Sequence, residues 1–302
     1  MNKNSIFKNE SLESEFEENG YTRVPFLNEQ EIRRLTDKFQ DLHPRDVRAH
    51  TIPSYASGYF ASTFVNDEDY RRRVKDAVVP EFQRAIDLHF KDYKVFGGGF
   101  LVKLPDAGSG LRPHQDLTAV DEERFTMINI WCPLQNMDGT NGALRVLKGS
   151  HRFFAGLRAV TIPSRYRKHE QVLRENMSAL YMNAGEAVLY SLATLHDSEP
   201  NLSTNTRVVA TALLCHRDAK ITTAYRDPEK PGEIQFFAQE DDYFIRNPQF
   251  SRDALARPKI GTYLTSVPYR EAEVGDNEVR KFLEDGGEEK RTKCISQDAK
   301  EF

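Results

Sequence analysis

His114 and Asp116 are the residues from which chemistry is most directly read. They stand two apart in Arg112-Pro113-His114-Gln115-Asp116. On a strand, residues two apart project to the same face, so an imidazole and a carboxylate can converge on one metal ion. The preceding stretch, 95–104, is apolar and ends in Pro105-Asp106-Ala107-Gly108-Ser109-Gly110, which reads as a loop. The pair is therefore predicted just beyond a strand and a turn, where functional sites concentrate. Alone, a His-x-Asp tripeptide is more often an ordinary turn. A third ligand changes that reading, and His196 is the candidate. It follows 184–191, a turn and then a short apolar strand. Arg207 comes next, opening Arg207-Val208-Val209-Ala210-Thr211-Ala212-Leu213-Leu214. Two His and one carboxylate on one face of a metal leave three positions open, the arrangement of non-haem Fe(II) oxygenases. An Arg on a neighbouring strand suits a bidentate hold on the far carboxylate of a dicarboxylate co-substrate.

These residues belong to a wider pattern. After His114-Gln115-Asp116 come Asn129-Ile130-Trp131-Cys132-Pro133-Leu134 and Asn141-Gly142-Ala143-Leu144-Arg145-Val146-Leu147-Lys148-Gly149-Ser150-His151. His196-Asp197-Ser198 and Arg207 follow, and Glu18-Asn19-Gly20-Tyr21-Thr22-Arg23-Val24-Pro25-Phe26-Leu27 precedes them all. In order, spacing and type these motifs resemble the phytanoyl-CoA dioxygenase family of Fe(II)/2-oxoglutarate oxygenases, over residues 12–215. The resemblance implies a mainly β fold with flanking α-helices, built on a double-stranded β-helix (jelly-roll, cupin-like) core. It implies Fe(II), 2-oxoglutarate and O2 as cofactors, with His114, Asp116 and His196 as the metal ligands. Arg207 would pair with the far carboxylate of 2-oxoglutarate, helped by the Ser198 hydroxyl. Trp131 and Asn129 would line the co-substrate pocket, with simple packing as the alternative for both. In this family a histidine at the position of His151 is structural rather than a fourth ligand.

The reaction so implied oxidises an unactivated C–H bond of a small organic molecule, by hydroxylation or by desaturation or ring closure. 2-Oxoglutarate is decarboxylated to succinate and CO2, plausibly within specialised metabolism. Halogenating relatives replace the carboxylate with a small residue, so Asp116 argues against halogenation. Two rivals stand beside this reading: a catalytically degenerate jelly roll used for binding, and a cupin-like enzyme using Zn or Mn. The complete ligand set disfavours the first and Arg207 the second. The fold itself names no substrate, because one architecture hosts many activities.

The elements that must position these residues are read next. 11–18 is predicted as a short acidic helix and 21–26 as a strand. Asn28 is a predicted N-cap for a helix through 42, with Ile32, Leu35, Phe39 and Leu42 at helical spacing. 67–90 reads as helical, with Pro80 starting a second helix or kinking the first. Gly97-Gly98-Gly99 lacks the spacing of a phosphate loop and reads as a close backbone approach inside a strand. Lys103 is predicted as a solvated strand-end lysine, with contact to the co-substrate as the alternative. 152–177 is a long, lid-like connection between jelly-roll strands. Its excess of Arg over Glu suits an anionic substrate, with Arg165 and Arg167, and Arg145 from the preceding strand, as candidate contacts; a solvated charged surface is the alternative. 218–257 is expected to be irregular, with short helices across the barrel mouth or at a subunit contact. The whole is expected as one domain, 1–274, with 275–302 a solvated helix and loose charged tail.

Bulk properties narrow the class. The chain has 302 residues, 39% hydrophobic and 29% charged, as a globular protein does. A net charge of −4 gives no footing for nucleic acid. No 18-residue apolar stretch is present, so no membrane span is expected. Three widely separated Cys, without C-x-x-C, point to reduced thiols. Residues 1–5 lead into no signal-peptide core and the last three are not a peroxisomal signal, so a cytoplasmic monomer or homodimer acting on a small molecule is expected.

Overall fold

The computed structural model describes residues 5–51, 56–247 and 256–285. Helix α1 (Glu10–Asn19) begins at Asn9, whose side chain accepts from the amides of Ser11 and Leu12. Strand β1 (Tyr21–Pro25) leads to helix α2 (Glu29–Leu42). Here the expected cap forms as a full capping box: Asn28 accepts from the Glu31 amide, and the Glu31 carboxylate accepts from the Asn28 amide. Strand β2 (Tyr59–Ala61) is short, and helix α3 (Glu68–His89) is long. It runs unbroken through Pro80, contrary to the expected second start. The buried stripe Val74, Val78, Phe82, Ile86 continues on both sides of the proline, and its burial outweighs one lost backbone hydrogen bond.

The barrel strands follow: β3 (Tyr93–Lys103), β4 (Leu111–His114), β5 (Ile128–Pro133) and β6 (Leu144–Val146). Helices α4 (Ser150–Phe153) and α5 (Glu170–Glu175) lie in the next connection, and then come β7 (Ser178–Ala179), β8 (Glu186–Ser191), β9 (His196–Ser198) and β10 (Arg207–His216). Each pairing is antiparallel and nested: β3 with β10, β4 with β9, β5 with β8, β6 with β7. A chain paired first-with-last in this way is one long hairpin rolled into two facing sheets, the double-stranded β-helix. The larger sheet has the order β1-β8-β5-β10-β3-β2 and the smaller β4-β9-β6-β7.

Strand alternation decides which side chains enter the barrel. Ile128, Ile130, Leu189, Ala210 and Ala212 face outward into one cluster with Leu35 and Phe39 of α2 and Val74, Val78 and Phe82 of α3. Trp131, Val188, Tyr190 and Val209, from the opposite face of the same strands, pack inward with Leu144 and Val146 of the smaller sheet. The three glycines act as expected. A Cβ on Gly98 would lie 3.1 Å from the Val79 side chain, and one on Gly99 would lie 2.5 Å from Ser62 Oγ. Their absence lets α3 and Ser62 close on β3, where Ser62 Oγ accepts from the Phe100 amide at 3.0 Å.

Beyond the barrel, the structure departs from expectation. Instead of irregular chain, a third sheet forms from β11 (Ile221–Tyr225), β12 (Glu233–Gln239) and β13 (Thr262–Pro268), with the single-turn helix α6 (Tyr243–Arg246) between the last two. The final helix α7 (Asp276–Glu284) is not simply solvated. Val279 and Phe282 are buried with Phe154, Tyr166 and Leu173 of the 152–177 connection. That connection is itself partly helical rather than structureless. No helix among the described residues is long and apolar enough to cross a membrane.

Candidate metal centre

His114 ends β4 and faces His196, which begins β9; the two are register partners, and their rings lie 4.2 Å apart between centroids. Asp116 lies just beyond the end of β4. Its backbone still holds to the barrel, because its amide donates to the Leu192 carbonyl at 3.0 Å. One ligand atom from each of His114, Asp116 and His196 lies within 4.8 Å of the others.

Both imidazoles are oriented by the backbone. His114 Nδ1 lies 2.8 Å from the Arg112 carbonyl, and His196 Nδ1 lies 2.9 Å from the Thr194 carbonyl. A carbonyl can only accept, so each Nδ1 carries the proton and each Nε2 keeps its lone pair for a metal. Burial among protein atoms, then the neighbouring His196, pushes His114 down to about 4, which keeps it neutral and able to ligate. The donor set, two neutral imidazoles and a carboxylate, fits a divalent transition metal with positions left for other ligands.

Behind the carboxylate lies a polar chain that the sequence reading missed in part. Asn129 Nδ2 donates to the Tyr190 hydroxyl at 2.8 Å and reaches Asp116 Oδ2 at 3.4 Å. The Tyr190 hydroxyl is 3.4 Å from Asp116 Oδ2 and 3.4 Å from His196 Nε2. Thr211 Oγ1 donates to Asn129 Oδ1. Burial, then the Asp116 charge, holds the Tyr190 hydroxyl well above its ordinary range, so it stays protonated and able to donate. Asn129 thus engages the triad's carboxylate. Tyr190 carried one signal in the sequence: a hydroxyl in the middle of an apolar strand must find a partner.

Arg207, the first residue of β10, is 2% exposed and turns into the barrel. Its guanidinium sits 5.6 Å from the centroid of the Trp131 ring. Its Nη1 makes one long contact, 3.5 Å to the Leu101 carbonyl, and its buried Nε has no hydrogen-bond partner. Burial lowers its pKa to about 10, still charged at neutral pH. Lys103 is its register partner on β3. Far from being solvated, Lys103 is fully buried, and its Nζ donates to the carbonyls of Ser198 and Glu199. Burial, then the Arg207 charge, holds its pKa well below the usual lysine range. Ser198 lies two residues past His196 on β9, so both project to one face. A buried, incompletely bonded guanidinium against an indole fits a carboxylate of a bound dicarboxylate.

The arginines assigned to substrate are engaged elsewhere. Arg145 forks onto the buried Asp197, with Nε to Oδ1 at 2.7 Å and Nη2 to Oδ2 at 2.5 Å, and also meets Glu199 at 2.6 Å. Arg167 pairs with Glu271 at 3.1 Å and Glu273 at 2.8 Å. Arg165 donates to the carbonyls of Ala272 and Ala155. The excess positive charge of 152–177 is thus answered by acids and carbonyls distant in sequence, which a local charge count could not register. His151 bonds the Glu17 carbonyl at 3.1 Å, as a structural residue would.

A phytanoyl-CoA dioxygenase from Arabidopsis thaliana is 26% identical over 129 residues, 41% of this chain and 44% of that protein. A phytanoyl-CoA dioxygenase domain-containing protein 1 homolog from Dictyostelium discoideum is 28% identical over 116 residues, 36% of this chain and 41% of that protein. The matches thus span less than half the length of these curated relatives. The crystal structure of the non-heme alpha ketoglutarate dependent carbocyclase SnoK from nogalamycin biosynthesis superposes with a TM-score of 0.49 at 19% identity, covering 70% of this chain and 86% of that one. The sequence profile of the family described as phytanoyl-CoA dioxygenase (PhyH) matches residues 16–209, most of the chain and all three triad residues, and the chain belongs to that family.

Proposed function

We propose that the chain is a non-haem Fe(II)/2-oxoglutarate-dependent dioxygenase that oxidises a C–H bond of a small organic molecule. Supporting this is the buried Arg207 Nε, unbonded beside Trp131 and in the same barrel as the triad. Fe(II) and 2-oxoglutarate, when bound, would let O2 act as the oxidant, with 2-oxoglutarate giving two of the four electrons that O2 takes and leaving as succinate and CO2, and the C–H bond giving the other two. His114, Asp116 and His196 hold the metal, and the Asn129–Tyr190 pair steadies one Asp116 oxygen. Arg207 takes the far carboxylate of 2-oxoglutarate, with Trp131 closing one wall of that pocket against water and Ser198 alongside. Hydroxylation and desaturation or ring closure are the reactions this site supports. An anionic substrate is compatible with the site, although Arg145, Arg165 and Arg167 are already engaged by acids and carbonyls. A cytoplasmic setting accords with Cys132 and Cys215, both buried free thiols.

The test is turnover without a known substrate. The chain is incubated with Fe(II), 2-oxoglutarate and O2, and slow uncoupled succinate formation is expected. It should disappear in His196→Ala and when Zn(II) replaces Fe(II). Succinate at the same rate in His196→Ala, or none from wild type together with failure to bind iron, contradicts the proposal. The second outcome returns the chain to a binding protein.

A further inference from the structure

Two of the three triad residues are set by strands. His114 and His196 lie on β4 and β9, and the strand pairing fixes their backbone. Asp116 lies past the end of β4 and needs support from elsewhere. Its amide is held by Leu192 of the barrel. Its carbonyl accepts from Arg158 Nε at 2.8 Å. Arg158 comes from the 152–177 connection, 42 positions further along the chain.

Three further hydrogen bonds hold the rest of the Arg158 guanidinium. Nη1 and Nη2 grip Glu122 at 2.9 and 2.6 Å, and Nη1 also donates to the Gly156 carbonyl at 2.6 Å. The backbones interlock as well: the Arg158 amide donates to Thr118 Oγ1, and the Thr118 amide donates to the Arg158 carbonyl. The Arg158 side chain is 11% exposed and that of Glu122 is 22% exposed. With its charge answered by Glu122, this arginine is not a recruiter of anions. Its remaining donor is spent on the peptide that carries the triad's carboxylate. Gln115, between the two ligands, is tied to the same connection, its Nε2 donating to the Phe154 carbonyl at 3.3 Å and to the Ala193 carbonyl at 2.5 Å.

We propose that Arg158, braced by Glu122, is a positioning residue that sets Asp116 through its backbone carbonyl, which makes the 152–177 connection part of the metal cradle. The inference rests on the metal reading given above. Planarity matters here. A guanidinium can serve Glu122 through its Nη atoms and Asp116 through Nε at once, whereas an ammonium can hold Glu122 but not span both. Removing support behind a metal ligand typically weakens metal affinity by about 10- to 100-fold.

Co(II) is the probe, with affinity and d–d absorption read on the full chain without O2 or 2-oxoglutarate. In Arg158→Ala the Co(II) dissociation constant should rise by about 10- to 100-fold, with a shifted d–d spectrum. Arg158→Lys should fall between Arg158→Ala and wild type. A purely structural arginine would lower the unfolding midpoint and leave both metal readouts alone. If Arg158→Ala does not fold, Arg158→Lys decides alone. Co(II) affinity and spectrum indistinguishable from wild type in the folded variants overturn the clamp. A wild-type chain that binds no Co(II) overturns the metal reading beneath it, and the clamp with it.

Discussion

At the scale of single residues, the account stands on the triad and on Arg207. Replacing His114, Asp116 or His196 with Ala should abolish uncoupled 2-oxoglutarate turnover. The fold should survive, because one truncation at a cavity wall seldom unfolds a domain of this size. Iron content and succinate release measured together check this; full turnover with normal iron in any of the three contradicts it. Arg207→Ala should weaken 2-oxoglutarate by about 2–5 kcal/mol, as for loss of one partner from a buried charge pair. Lys at 207 should recover only part, because it lacks the planar fork. An unchanged apparent affinity would place the anchor elsewhere. The sequence pointed to the triad and to Arg207 because they fall in short motifs of distinctive type and spacing, with Arg207 opening an apolar strand. Lys103, Tyr190 and Arg158 were not legible, because their importance comes from register and cross-chain contacts. Lys103 becomes a buried cation only when β10 is laid against β3 and places Arg207 opposite it.

Among elements, those read well carry local signals. α2 shows both an N-cap pair and a clear apolar period, and the structure starts it at Glu29 and ends it at Leu42. β10 is a run of apolar and β-branched residues buried on both faces. The third sheet was illegible because its burial does not follow strand alternation: β12 reads Glu-Ile-Gln-Phe-Phe-Ala-Gln, and its two buried residues, Ile234 and Phe237, lie on opposite faces. Alternation is weak there and pairing supplies the structure. α7 was read as solvated because its charge outweighs its three apolar residues, of which Val279 and Phe282 are the buried ones. The Phe282 ring lies 4.6 Å from that of Phe153 and 5.5 Å from that of Phe154. Phe282→Ala should therefore loosen the 152–177 connection. Its cost should approach the roughly 3–5 kcal/mol of a buried Phe→Ala change, read as a lower urea midpoint with faster amide exchange around Phe154. Unaltered exchange there would show that α7 rests on the connection without stabilising it.

For the whole molecule, pH gives a test independent of catalysis. Burial depresses the pKa of His43 and of His89 below the ordinary 6.5. A histidine with a lowered folded pKa takes up its proton more readily once unfolded. Its contribution to stability is therefore full above 6.5 and is lost as pH falls toward the folded value. The urea midpoint of the metal-free protein should decline as pH drops below 6.5, and less steeply in a His43→Gln, His89→Gln double variant. A profile identical in the two proteins would mean that other groups govern the decline.

The central claim, that one barrel brings an iron triad and a 2-oxoglutarate anchor together, is met most directly by an anaerobic titration. Protein loaded with Fe(II) is titrated with 2-oxoglutarate and followed by visible absorption. The account expects a charge-transfer band that saturates with one 2-oxoglutarate per chain, is missing in His196→Ala, and needs far more 2-oxoglutarate in Arg207→Ala. Tight Fe(II) binding with no band at any 2-oxoglutarate concentration, or a band of the same affinity in Arg207→Ala, would contradict it.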